Sequence, residues 1–188
     1  MGTRGIYGFY KNKTDKLTYN HFDSYFEGLG IQVVDFIRST SIQEMNKIFD
    51  KIILVKETDT PTVEQVIECH KFANLEVSTR CISDFYCLLR ETQGKLDIYR
   101  DTDLRYMIDS KEFIKDSSFC EYGYIINLDS NELEIYVGWN KKKIDNRYNT
   151  KPYDGYYQCK LLKRYPLNEI PENWIQECNE LLKRKEVA

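Results

Sequence analysis

Two stretches restrict the fold more than anything else in the chain: RGIYGFYKNKTDKLTYNHFD at residues 4–23 and EYGYIINLDSNELEIYVGW at 121–139. Each sets two runs rich in Tyr, Phe, Ile and Leu about a short polar centre, which is the pattern of a β-hairpin. In the first, strands are expected at 4–11 and 16–23 around the loop Asn12-Lys13-Thr14-Asp15. In the second the turn falls at Asp129-Ser130-Asn131, and a further strand-like run, GYYQCKLLKRY, follows at 155–165.

Between the hairpins the apolar spacing turns helical. One helix is expected from about Ile31. Another follows Ser41, where Ser41-Ile42-Gln43-Glu44 forms a capping box ahead of Met45, Ile48, Phe49, Ile52 and Ile53. Thr60-Pro61 predicts a third helix with Pro in its first turn, and Val63, Val66, Ile67 and His70 fall on one stripe. A fourth is expected over 80–93, ending at Gly94 as a glycine C-cap. PENWIQECNELLKRK reads as a closing amphipathic helix with a basic last turn. No repeat and no low-complexity linker divides the 188 residues. The expected fold is therefore α+β: a single domain (1–188) with a largely antiparallel sheet, terminal hairpins and packed helices.

Composition narrows the function classes. Hydrophobic residues make up 41%, with fifteen Tyr and nine Phe, which excludes a disordered chain. A formal charge of −3 gives no overall basic field, so nucleic-acid binding would need a local patch. No run approaches the roughly 18 apolar residues of a membrane span, and no basic start leads into an apolar signal segment. Met1-Gly2 lacks the Ser or Thr at position six of a myristoylation motif, because Ile6 stands there. A soluble, cytoplasmic protein is expected. The six cysteines include no Cys-x-x-Cys pair and read as reduced, buried thiols. No metal and no cofactor is implied.

The opening thirty residues hold five of the nine glycines and one of the two histidines. Pairing the first hairpin across a four-residue loop sets Arg4 opposite Asp23, Ile6 opposite His21, Gly8 opposite Tyr19 and Tyr10 opposite Leu17. Facing side chains share one side of a sheet. Arg4, Asp23, His21 and Tyr19 would then converge, with room above Gly8 for a planar ligand, and Gly28-Leu29-Gly30 would present amides at a helix start. The alternative is a cross-strand ion pair beside a glycine that accommodates an aromatic neighbour. Elsewhere, His70 is expected to be a core histidine. WNKKKIDNRYNTKPYDGYYQ at 139–158 mixes Lys and Arg with aromatics, suiting phosphates and stacked bases or a solvated loop. Asp97, Asp101, Asp103 and Asp109 lack the spacing of a metal loop. No nucleophile elbow, His-Glu-x-x-His or kinase signature occurs.

MGTRG…YNHFDSY…EGLG, with CEYGYIINLD…LEIY downstream, resembles a family of small proteins of bacteria and their phages for which no activity is established. The chain departs from it at Phe26, where such proteins often have Pro. A phage setting implies host-interaction or anti-defence roles, including sequestration of a nucleotide-derived immune signal. More distantly, the early Arg, the hairpin and Asn-x-x-Asp are similar to the opening of N-terminal-nucleophile hydrolases. That similarity implies related layers, Arg4 near a nucleophile, and Asn20 and Asp23 as a polar pair on the second strand. Those enzymes use Cys, Ser or Thr as residue one. Here Gly2 follows Met1, and exposing Thr3 would need a further cleavage.

The expected function is non-catalytic binding of a small anionic, nucleotide-like ligand through Arg4, Gly8, Tyr19, Asn20, His21 and Asp23. Two alternatives stand beside it. One is an N-terminal-nucleophile amide hydrolase or transferase using Thr3. The other is a protein-interaction module in which 139–157 docks on a host protein.

Overall fold

The computed structural model describes residues 2–77 and 82–186. Five strands form the main sheet in the order β2-β1-β5-β6-β7: β1 Gly5–Lys11, β2 Thr14–Asn20, β5 Tyr122–Asn127, β6 Glu132–Val137 and β7 Lys160–Pro166. A small parallel pair, β3 Ile53–Val55 and β4 Tyr106–Ile108, stands apart. The helices are α1 Ile31–Ser39, α2 Ile42–Lys51, α3 Val63–Cys69, α4 Phe85–Leu88, α5 Asp97–Asp101 and α6 Trp174–Glu186. The fold is α+β, and its sheet is antiparallel except where the two hairpins join, β1 running parallel to β5. Among the described residues no helix is long and apolar enough to cross a membrane.

Both faces of the sheet are covered. Tyr7, Phe9, Tyr124, Ile126 and Ile135 pack towards the helices. Ile6, Leu17, Ile125 and Tyr136 pack under Ile114, Cys120, Tyr148 and Cys159. Burial on two sides explains why YGYIIN reads as a nearly unbroken apolar run rather than an alternating one.

The first hairpin differs from expectation in its turn. Asn12 and Lys13 have φ of 51° and 59°, the left-handed pair of a two-residue type I′ turn, so Lys11 pairs with Thr14. Such a turn matches the right-handed twist of the strands, and Asn tolerates the left-handed region. The register therefore moves by two residues: Ile6 faces Tyr19 and Gly8 faces Leu17. An even shift keeps each side chain on its expected face. The ladder ends at Gly5–Asn20, and the chain then bends at Asp23 (φ 49°), so Arg4 does not oppose Asp23.

The helices also carry corrections. Ser41 and Glu44 cap α2 reciprocally as expected, with Glu44 N–H donating to Ser41 Oγ at 3.2 Å. The cap of α3 is Thr62, boxed with Gln65, so Pro61 precedes the helix instead of opening it. Val63 and Ile67 on α3 are exposed, and His70 is exposed too, its Nδ1 2.8 Å from the Ile67 carbonyl, instead of lying in the core. The expected fourth helix is reduced to α4 and a tight turn at Arg90–Thr92; Arg80 and Cys81 lie outside the described residues. That turn is held by the sheet: Tyr7 donates its hydroxyl to the Thr92 carbonyl (3.1 Å) and accepts from Gly94 N–H (2.7 Å). Cys69, Cys87, Cys120, Cys159 and Cys178 are buried.

Candidate functional site

Strand alternation at the end of β2 divides the expected site residues between two clefts. Tyr19 and Arg4 line one of about 660 Å³, together with Lys56, Lys111, Phe113 and Phe119. Asn20 and Asp23 line another of about 420 Å³, with Gln32, Arg90, Gln93 and Gly94. Successive residues of a strand point to opposite faces, so Tyr19 and Asn20 are bound to separate. Gly8 lines neither cleft: it is buried with φ 145°, and a Cβ there would collide with the Lys16 carbonyl. Its missing side chain lets β2 approach the backbone and leaves no room for a ligand.

His21 lines neither cleft but bonds to a lining residue of each. Its Nδ1 lies 2.9 Å from the Tyr19 hydroxyl, and its backbone N–H donates to Gln93 Oε1 at 3.3 Å. The Phe22 ring meets the imidazole edge-on at 4.2 Å between centroids. Tyr19 in turn sits edge-on to Phe113 at 5.0 Å. Asn20 is held from inside the fold, donating to Ser24 Oγ at 2.9 Å and to the Phe22 carbonyl.

Two guanidiniums flank this histidine. Arg4 lies over the Phe119 ring at 4.7 Å, while its backbone N–H donates to Glu121 Oε1 at 3.1 Å. Arg90 lies over the Tyr86 ring at 5.2 Å, and its Nη1 is buried without a hydrogen-bond acceptor. Among the described residues neither arginine forms an ion pair. Desolvation, then Arg90, then Arg4 hold the His21 imidazole below its ordinary value. Burial raises the Tyr19 phenol, against the pull of the same two arginines. The smaller cleft also carries carboxylates, but Glu91 is engaged by Asn74 Nδ2 at 2.7 Å.

The glycine-flanked helix start offers less. Gly28 and Gly30 donate to the Tyr25 carbonyl, Leu29 donates to the Asp23 carbonyl at 2.8 Å, and Ile31 bonds back to the carbonyls of Gly28 and Phe26. These amides are satisfied within the chain. Arg90 is the residue that sequence reading missed. It lies far from the hairpin in sequence, within a predicted helix, and no local signal marks it. Among the described residues no three His, Cys, Asp or Glu side chains converge as a metal set.

The arrangement presents two guanidiniums and an imidazole at neighbouring clefts. A phosphate or carboxylate would give the buried Arg90 Nη1 an acceptor and relieve the field on His21. No protein-family model, curated protein or solved structure matches the chain.

Proposed function

We propose that the protein binds a small anionic ligand, of the phosphate-bearing or nucleotide-like class, between Arg4, His21 and Arg90, and that it holds this ligand without transforming it. The observation that carries this reading is the buried Arg90 Nη1, which finds no acceptor among the described residues, beside a histidine that desolvation and then the Arg90 and Arg4 guanidiniums hold below its ordinary value. Buried polar groups are nearly always partnered, so an orphan in a cleft marks a place for an external acceptor. Tyr19 and Phe22 add a hydroxyl and an exposed ring beside that place. Sequestration of a signal molecule, the role implied by resemblance to phage proteins, is the biological form this binding would take.

Calorimetry or thermal shift against inorganic phosphate and a nucleotide panel tests the reading, with Arg90→Gln and Arg4→Gln as controls. A charge-assisted hydrogen bond contributes about 1.5–3 kcal/mol, so each substitution should weaken binding by roughly 10- to 100-fold. Affinity unchanged in both variants would remove the site.

A further inference from the structure

A second site opens at the same end of the sheet, where the chain leaves β6. Asn20 ends β2 and Val137 ends β6, three strand spacings away, roughly 14 Å across the sheet. A groove of about 740 Å³ begins there at Trp139 and is lined by Lys141, Lys142, Lys160 and Arg164 among others.

Its backbone is held closely. Gly138 N–H donates to the Glu121 carbonyl (2.9 Å), Trp139 N–H to the Ser117 carbonyl (2.7 Å) and Asn140 N–H to Ser117 Oγ (3.0 Å). A side chain at Gly138 would collide with the Cys120 carbonyl. Buried Asn140 donates in turn to the Gln158 carbonyl at 2.9 Å. Yet the residue between these anchors, Trp139, has φ 53°, a conformation bulky side chains rarely adopt, and it is 60% exposed. Strain of this kind persists only where the surroundings over-determine it. The anchors hold a large aromatic ring out in solvent, where burial of the ring cannot be the reason.

The neighbours of that ring define a chemistry. Tyr156 braces the indole edge-on at 5.9 Å and carries the Lys141 ammonium over its own face at 5.0 Å. Arg147 is committed to buried Glu134 and Arg164 lies 3.5 Å from the same carboxylate, so the cations most open to a ligand are Lys141 and Lys142. We infer that this groove binds a nucleotide unit, with the base stacked on Trp139 and its phosphates on Lys141 and Lys142. Aromatic stacking beside a cationic track recognises any base without reading its edges. A free nucleotide and a single strand present the same unit, and the experiment separates them.

Trp139 supplies the signal, because the other tryptophan, Trp174, is buried. The full-length protein is titrated at low salt with uridine triphosphate, with a single-stranded oligothymidylate of about ten nucleotides, and with inorganic triphosphate. Saturable quenching by a base-containing ligand is expected, with inorganic triphosphate binding clearly more weakly. Tighter binding of the oligonucleotide assigns a strand; equal affinity assigns the free nucleotide. By calorimetry in an Arg90→Gln background, which removes the first site, Trp139→Ala should weaken binding about tenfold or more, while Trp139→Phe keeps part of it. Changing Lys141 and Lys142 together to Gln should lower affinity and the salt dependence. Quenching of Trp139 should persist in Arg90→Gln, although the variant loses binding in the first cleft. The inference is overturned by absence of saturable quenching, by triphosphate binding as tightly as the nucleotide, by unaltered affinity in Trp139→Ala, or by loss of the signal in Arg90→Gln.

Discussion

The Tyr19 hydroxyl and His21 Nδ1 lie 2.9 Å apart, and this contact holds the imidazole in the field of Arg90 and Arg4. The pair follows from strand geometry, since residues two apart project to the same side. It makes His21 the group through which proton and anion binding should be linked.

Desolvation, Arg90 and Arg4 lower the His21 value from the ordinary 6.5. In the window between that value and the lower folded one, the unfolded chain binds more protons than the folded chain. Stability therefore rises with pH through this window and is lost as pH falls below 6.5. A bound anion should raise the His21 value, so ligand affinity should increase as pH falls. Because the chain has only two histidines, NMR titration with His21→Asn for assignment reads this directly. Titration of free His21 at or above the ordinary value would contradict it.

Tyr7 ties the cleft to the sheet. Its hydroxyl serves both the Thr92 carbonyl and Gly94 N–H, on either side of Gln93 and two residues beyond Arg90. Tyr7→Phe leaves the Gly94 N–H without its acceptor and the Thr92 carbonyl with the Lys95 N–H alone, which should cost about 1–3 kcal/mol in denaturant unfolding. Ligand affinity should fall as well, because the turn that carries Arg90 loses its anchor. Destabilisation with no change in affinity would limit Tyr7 to a structural role.

Gly8→Ala separates two meanings of the same glycine. The backbone there has φ 145°, and an added methyl would run into the Lys16 carbonyl on the neighbouring strand. Left-handed strain and overpacking together should destabilise the fold by about 2–4 kcal/mol. An Ala variant that folds normally but fails to bind would instead restore Gly8 to the site.

How far the sequence carries can be read from these positions. The strands, the reciprocal cap of Ser41 and Glu44, and the α+β class follow from local periodicity and short-range chemistry. The register of the first hairpin did not, because Asn12-Lys13 adopts a turn usually signalled by Asn-Gly, and Thr14 and Asp15 read equally well as loop. The stripe of Val63 and Ile67 failed differently: its spacing is helical, but only tertiary placement decides that it faces solvent. Tyr19, His21 and Arg4 were legible as one neighbourhood since strand alternation survives an even slip. Arg90 joins them only through the fold, by way of Tyr7 and the turn at residues 90–94.

The last prediction concerns the polar cluster that holds residues 139–159 on the sheet. Glu134 is 1% exposed and accepts from Arg147 Nη2 at 2.5 Å, Asn127 Nδ2 at 3.0 Å and the Tyr136 hydroxyl at 3.0 Å. Arg147 also lies over the Tyr10 ring at 3.8 Å, and the adjacent Tyr148 donates to Asp15 at 2.7 Å. Burial alone would raise the Glu134 carboxyl, but the hydrogen bonds from Arg147 and Asn127 outweigh it and leave it below the ordinary value. Its contribution is thus present above the unfolded value and lost as pH falls through the folded one. Arg147→Ala removes the nearer counter-charge and leaves the carboxylate only Arg164, 3.5 Å away, so the loss should lie towards the lower end of the roughly 3–5 kcal/mol of a broken buried pair. Replacing Glu134 by Gln in the same background should recover much of that loss, since a neutral amide needs no counter-charge. Chemical denaturation of the single and double variants measures both steps. If the double variant is no more stable than Arg147→Ala, the loss comes from the stacking on Tyr10 and not from the weakened pairing of the carboxylate.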